Sequence, residues 1–217
     1  MDKVIDNMDK RHSKQLTYMR AYLDGKGYHK ALEALEFACR LDEGKVRKDG
    51  LTPSFHHQLQ VARLATTLLP HLEYPEETIT AAFLHDVLED YSHVVSREML
   101  EDKFGRKVAD AVWTLSKKMG GIVKSPESYF DGLARCPIAS FIKLCDRIHN
   151  LHTMQGAFKV AKQEAYVTEL DDWFFPMLKV ARSRFPRQYG AYENLKIMLL
   201  TQKNSLYFLI NLMKETQ

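Results

Sequence analysis

Four short segments carry side chains whose types and spacing suit a divalent cation. They are His57 in Phe55-His56-His57-Gln58-Leu59-Gln60-Val61-Ala62, His85-Asp86 followed by Glu89-Asp90, Asp146 in Lys143-Leu144-Cys145-Asp146-Arg147, and the downstream Asn150. Imidazole beside carboxylate is a ligand set that a hard or borderline divalent ion takes. The run Ile79 to Leu88 is apolar on nearly every side, as a helix buried in a core must be. Polar groups in such a helix need partners, because an unpaired buried charge costs several kcal/mol. His85, Asp86, Glu89 and Asp90 fall at i, i+1, i+4 and i+5, so the spacing predicts one cluster at one end of that helix.

The elements that must position these groups read as helices throughout. Sustained period-2 alternation is absent, as is any Asn-Gly or Asp-Gly between β-branched runs, so no strand is expected. Ala31 to Cys39 is apolar at helical spacing, and Leu59 to Leu69 is a second helix stopped by Pro70. Pro75-Glu76-Glu77 opens another, with proline in the first turn and acids at the positive end. Ser96 caps a helix that runs through Phe104 and ends at Gly105, and Arg106 to Lys118 follows it. Gly120-Gly121 through Pro126 reads as a mobile loop. Pro137 opens the helix carrying Asp146 and Asn150, while Pro176 is expected to interrupt the segment around Trp173 and Pro186 to break the chain again. A long closing helix spans Ala191 to Met213, apolar at Leu195, Met198, Leu199, Leu206, Leu209, Leu212 and Met213. The expected class is all-α.

A chain of 217 residues that is 45% hydrophobic can bury one substantial core, and one domain over 1–217 is expected. No linker, repeat or low-complexity tract divides it. A net charge of +3 suits a small anionic substrate and falls short of a nucleic-acid-binding signature. No apolar run approaches the roughly 20 residues needed to span a bilayer, and Met-Asp-Lys-Val-Ile-Asp is no signal peptide. Cys39, Cys136 and Cys145 are odd in number and lack C-x-x-C spacing, which points to reduced thiols and a cytoplasmic setting. Cys145 directly precedes Asp146 and is expected to face a packed side of its helix.

His57, His85-Asp86 and Asp146, in that order, resemble the HD-domain superfamily of metal-dependent phosphohydrolases. The fuller pattern is narrower. Arg47-Lys48-Asp49-Gly50 with Thr52-Pro53, His85-Asp86-Val87-Leu88-Glu89-Asp90, Phe104-Gly105 and Ile142 to Leu151 are similar to the hydrolase domain of RelA/SpoT-type alarmone enzymes. The similarity runs from about residue 31 to 153, with residues 160–217 completing the bundle and weaker echoes at Ala181-Arg182, Phe185-Pro186 and Tyr192-Glu193-Asn194 that resemble stand-alone small alarmone hydrolases. The chain departs from the family pattern at Gln58, where proline is usual, at the extra Leu51, and at Tyr91, where threonine is usual. Counting back from Val61-Ala62 favours His57 over His56 as the ligand.

The resemblance implies one ion, Mn²⁺ in this family, held by His57, His85, Asp86 and Asp146. It implies Glu89 and Asp90 as the groups that orient water or move its proton. Arg47 and Lys48 would hold the pyrophosphate or the base. Asn150, one turn beyond Asp146, would contact ribose or order the metal shell, with Lys143 and Thr153 as weaker substrate contacts. Tyr129, Tyr192 and Asn194 are weighed between substrate contact and core packing. His71, His93, His149 and His152 read as structural or solvent-facing. The expected reaction removes the 3′-pyrophosphate of a guanosine or adenosine alarmone, and a tRNA end carrying such a group stays open as a substrate. Two other readings remain: a general HD nucleotidase or phosphodiesterase, and a module that binds alarmones without turnover.

Overall fold

The computed structural model describes residues 2–47, 50–154 and 158–215, with the side chains of the first helix described from Lys10 onward. The fold is all-α apart from one small hairpin among the described residues. Helix α1 (Asp2–Lys26), which no sequence pattern announced, lies against α2 (His29–Leu41) and α3 (His56–Thr66), with Met19 and Leu23 fully buried. A 3₁₀ turn at Leu69–His71 carries Pro70 into α4 (Pro75–Leu84). Every residue of α4 from Thr78 to Leu84 is buried, and it packs against α2 and α3. The hydroxyls of Thr78 and Thr80 survive there because each donates to the carbonyl four residues back, Tyr74 and Glu76.

The expected helix through Leu88 is broken at the site. Helix α4 ends at Leu84, and a turn at His85-Asp86 leads into the short α5 (Val87–Asp90). The cause is local. The His85 ring folds back so that Nδ1 lies 2.8 Å from the Ala82 carbonyl, the acceptor a continuing helix would offer to the Asp86 N–H. The Asp86 carbonyl then restarts the chain by accepting from the N–H groups of Glu89 and Asp90.

Ser96 caps α6 (Arg97–Phe104) by accepting from Met99 N–H, as expected. Helix α7 (Arg106–Leu115) stops short of Lys118. The predicted loop is instead an antiparallel hairpin of β1 (Lys118–Met119) and β2 (Ile122–Val123). Gly120 and Gly121 take φ of 54° and 85°, the left-handed pair that a two-residue hairpin turn demands. Strands of two residues are too short to show a period. Helix α8 (Pro126–Ala134) follows, and then α9 (Pro137–Thr153), which starts at Pro137 as expected and packs on α3, α4, α7 and α8.

Beyond α10 (Val160–Glu169) a π turn at Leu170–Phe174 joins α11 (Phe175–Arg184). Pro176 therefore does not interrupt the helix. Its missing N–H and its ring conflict with the Asp172 carbonyl of a regular helix, and the wider turn ahead of it relieves both. Helix α12 (Tyr189–Glu215) closes the structure. Tyr192 is fully buried, paired with the hydroxyl of Ser140 at 2.7 Å and accepting from Gln188, which ties α12 to the start of α9. Core packing is its role. Leu195, Leu199 and Leu206 are buried as expected, whereas Leu212 is exposed. Among the described residues, no helix is long and apolar enough to cross a membrane.

Candidate metal centre and nucleotide cavity

Helices α3 and α9 and the turn that follows α4 bring His57, Asp146 and His85 to one point. Ligand atoms of these three buried residues all lie within 4.8 Å of one another. The His57 and His85 Nε2 atoms are 3.2 Å apart, and His57 Nε2 is 3.0 Å from Asp146 Oδ1. Asp86, more open, faces the same gap with Oδ2 at 3.0 Å from His85 Nε2 and 4.0 Å from His57 Nε2. Two imidazoles and two carboxylates converging on one gap fit a divalent ion by donor type and by direction.

The ring tautomers are set from behind. A carbonyl can only accept, so His85 Nδ1 carries the hydrogen toward Ala82 and Nε2 is the nitrogen turned to the gap, the one that would give up its proton to an ion there. His57 Nδ1 lies 2.8 Å from His149 Nδ1. Burial and the nearby His57 and Arg47 push His149 down to about 2, so it stays neutral; with His57 Nε2 turned to the gap, His57 Nδ1 would carry the hydrogen shared with His149. His149, read as structural or solvent-facing, is half-buried against His57 and is the partner that aims that ring. Its position on the Asp146–Asn150–Thr153 stripe of α9 was the available signal. His149→Ala is expected to weaken divalent-metal affinity by roughly 10- to 100-fold. A metal titration giving the wild-type constant would remove His149 from this role.

Asp146 is held as a carboxylate by its own helix. Oδ2 accepts from Lys143 Nζ at 2.9 Å, and Oδ1 accepts from Asn150 Nδ2 at 2.5 Å. Burial would raise its pKa, but Lys143, His57 and His85 hold it well below the usual carboxylate range. Lys143, expected as a weaker substrate contact, serves Asp146 as its counter-ion: burial works against its charge, yet Asp146 and Tyr129 keep its pKa above the ordinary value. Burial opposes charge on His85 as well, but Asp86 and Asp146 push it up to about 9. Tyr129 is buried and donates to the Leu115 carbonyl, and exposed Asn194 bonds to Gly190 in its own helix.

The acidic pair divides. The Glu89 carboxylate accepts from the backbone N–H of Lys117 and, at 3.1 Å, of Lys118, so the hairpin holds it. Asp90 is pushed up to about 6 by burial and by the charges of Asp86, Glu89 and Asp42. Tyr91 turns away from the pair, donating to Asp42 and accepting from Lys45 at 2.8 Å. Gln58 is buried with Oε1 unpartnered among the described residues.

A cavity of about 610 Å³ adjoins the cluster through His149 and Asn150. Arg47, Asn150 and Thr153, the residues expected from sequence to contact substrate, line it together with Met154, Phe158 and Tyr166. Thr153 itself donates to the His149 carbonyl at 3.0 Å. Lys48, proposed beside Arg47, lies outside the described residues.

A helical bundle with this histidine–aspartate centre defines the HD class, and the HD-domain family model matches residues 34–182. The chain belongs to the HD domain family. It is 31% identical over 186 residues to a guanosine-3′,5′-bis(diphosphate) 3′-pyrophosphohydrolase of Aquifex aeolicus, covering 74% of this chain and 25% of that protein. The protein of the same name from Haemophilus influenzae is 30% identical over 143 residues, covering 62% and 20%. A GTP pyrophosphokinase of Streptomyces coelicolor is 33% identical over 150 residues, covering 66% and 17%. The chain thus spans a quarter or less of the length of these relatives. A solved structure described as a metazoan ortholog of SpoT that hydrolyzes ppGpp superposes with a TM-score of 0.59 at 22% identity, covering 76% of this chain and 93% of that one. That likeness establishes the shared fold.

Proposed function

We propose that the chain is a metal-dependent phosphohydrolase that removes the 3′-pyrophosphate of guanosine or adenosine alarmones. For the guanosine case, (p)ppGpp and water give GDP or GTP and pyrophosphate. The observation that carries this reading is the convergence of His57, His85 and Asp146 beside a cavity whose lining, among the described residues, contains cations and aromatics but no aspartate or glutamate. The names of the Aquifex and Haemophilus relatives support the same reaction. His57, His85, Asp86 and Asp146 would hold the ion, which we assign as manganese on the resemblance to the alarmone hydrolases. When bound, such an ion lowers the pKa of water from 15.7 to about 7 in the best cases and offsets charge on phosphoryl oxygens.

The remaining work falls to the chain. Asp90, with its raised pKa, takes the proton of the attacking water. Glu89, fixed by the hairpin amides, orients that water and keeps Asp90 basic by its charge. Arg47 grips phosphate with its fork of donors, and Asn150 and Lys143 keep Asp146 ionised and aimed. The three free cysteines accord with a cytoplasmic setting.

Glu89→Gln retains an acceptor for the hairpin amides and removes only the charge. It is expected to leave metal content unchanged while kcat falls by about 100-fold or more; wild-type turnover would exclude Glu89 from the mechanism. The function is tested by a turnover screen with Mn²⁺ against ppGpp, ppApp, cyclic nucleotides and 5′-monophosphates. Pyrophosphate released only from the first two supports the proposal. Phosphate release from monophosphates or opening of cyclic nucleotides would establish a general nucleotidase, and binding without turnover a sensor.

A further inference from the structure

Helix α1 ends before the residues matched by the family model begin at 34, yet it builds a wall of the nucleotide cavity. Arg11 and Gln15, four residues apart and so on one stripe of α1, both line it. The wall is fixed to α3. Gln60 Nε2 donates to Gln15 Oε1 at 2.6 Å, and the Nδ1 atoms of His12 and His56 lie 3.3 Å apart. The cations on the cavity surface among the described residues are Arg11 and Arg47, and no acidic side chain among the described residues lines the space to offset them. Such a surface selects an anion.

We propose that Arg11 is a specificity-determining residue that binds the 5′-phosphates of the nucleotide. This rests on the function proposed above, and follows from where the charges of that substrate must lie. With its 3′-pyrophosphate at the histidine–aspartate cluster, the one other anionic group of the nucleotide is at the 5′ position. The α9 end of the cavity is committed to the cluster through His149 and Asn150. Arg11 comes from a different helix and has no bond to any member of the cluster among the described contacts, so its guanidinium is available for the second anion. A planar fork of donors suits a diphosphate or triphosphate oxygen pair better than a hydroxyl.

Full-length wild type, Arg11→Ala and Arg11→Lys are compared by steady-state kinetics on a nucleoside 3′-pyrophosphate bearing a 5′-triphosphate, a 5′-diphosphate or a free 5′-hydroxyl. Arg11→Ala is expected to raise KM about tenfold for the two 5′-phosphorylated substrates. The kcat on all three, and KM for the 5′-hydroxyl substrate, should stay at wild-type values, and Arg11→Lys should restore part of the lost KM. Equal rises in KM for all three substrates would mean that Arg11 merely holds α1 in place, and unchanged KM values would mean that it touches no phosphate; either overturns the inference while leaving the reaction standing. A wild type that releases no pyrophosphate from any of the three would overturn the underlying function and this inference with it.

Discussion

Asp146→Ala is expected to abolish metal binding and turnover together, and to destabilise the fold. The first effect follows from geometry: Oδ1 of Asp146 is 3.0 Å from His57 Nε2, within the cluster that would surround the ion. The second follows from what is left behind. Lys143 is mostly withdrawn from water, and its ammonium has Asp146 as its carboxylate partner at 2.9 Å. Removing one member of a buried ion pair costs about 3–5 kcal/mol, because the other is stranded. The Asn150 amide loses its acceptor as well. Thermal melting and metal analysis separate the two effects. Adding Lys143→Met to Asp146→Ala should recover much of the stability and none of the metal. An Asp146→Ala protein that keeps wild-type metal content would contradict the assignment; one that melts as wild type does would show that Lys143 finds another partner.

Asp90→Asn should lower kcat by about two to four orders of magnitude with metal content preserved. The pH dependence gives the sharper readout. Burial and the charges of Asp86, Glu89 and Asp42 push the Asp90 carboxyl up to about 6. A base acts only when ionised, so kcat/KM should climb with pH and level off above that value. A cation beside Asp86 offsets one of the raising charges, so in the metal-loaded enzyme the limb should lie at or somewhat below 6. In Asp90→Asn this limb should vanish along with the rate. An undiminished limb in the variant would assign the titration to another group and leave Asp90 outside the proton transfer.

Much of this is legible in the sequence because the relevant signals are local. Proline at Pro75 and Pro137 and serine at Ser96 mark helix starts through φ and capping alone, and each lies where expected. The spacing of Lys143, Asp146, Asn150 and Thr153 placed them on one stripe of α9, which the Asp146 hydrogen bonds now illustrate. Cys145, adjacent to that stripe, is fully buried as its phase required.

What was missed depends on contacts between distant segments or on competition for a single backbone group. The break after Leu84 arises because a histidine ring takes one carbonyl, which no hydrophobic period reports. Glu89 and Asp90 share a phase but differ in environment, since a hairpin nearly thirty residues downstream claims only Glu89. His149 looked ordinary until its ring met His57, 92 residues away. Arg11 belongs to a helix with a polar, weakly patterned sequence, and its relation to the cavity exists only after α1 docks on α3.

The most direct test of the central claim is anomalous diffraction at the manganese edge from crystals of the full chain grown with Mn²⁺. A single peak bounded by the Nε2 atoms of His57 and His85 and the carboxylates of Asp86 and Asp146 is the predicted result. Well-ordered crystals with no peak there, or with manganese bound only elsewhere, would contradict it.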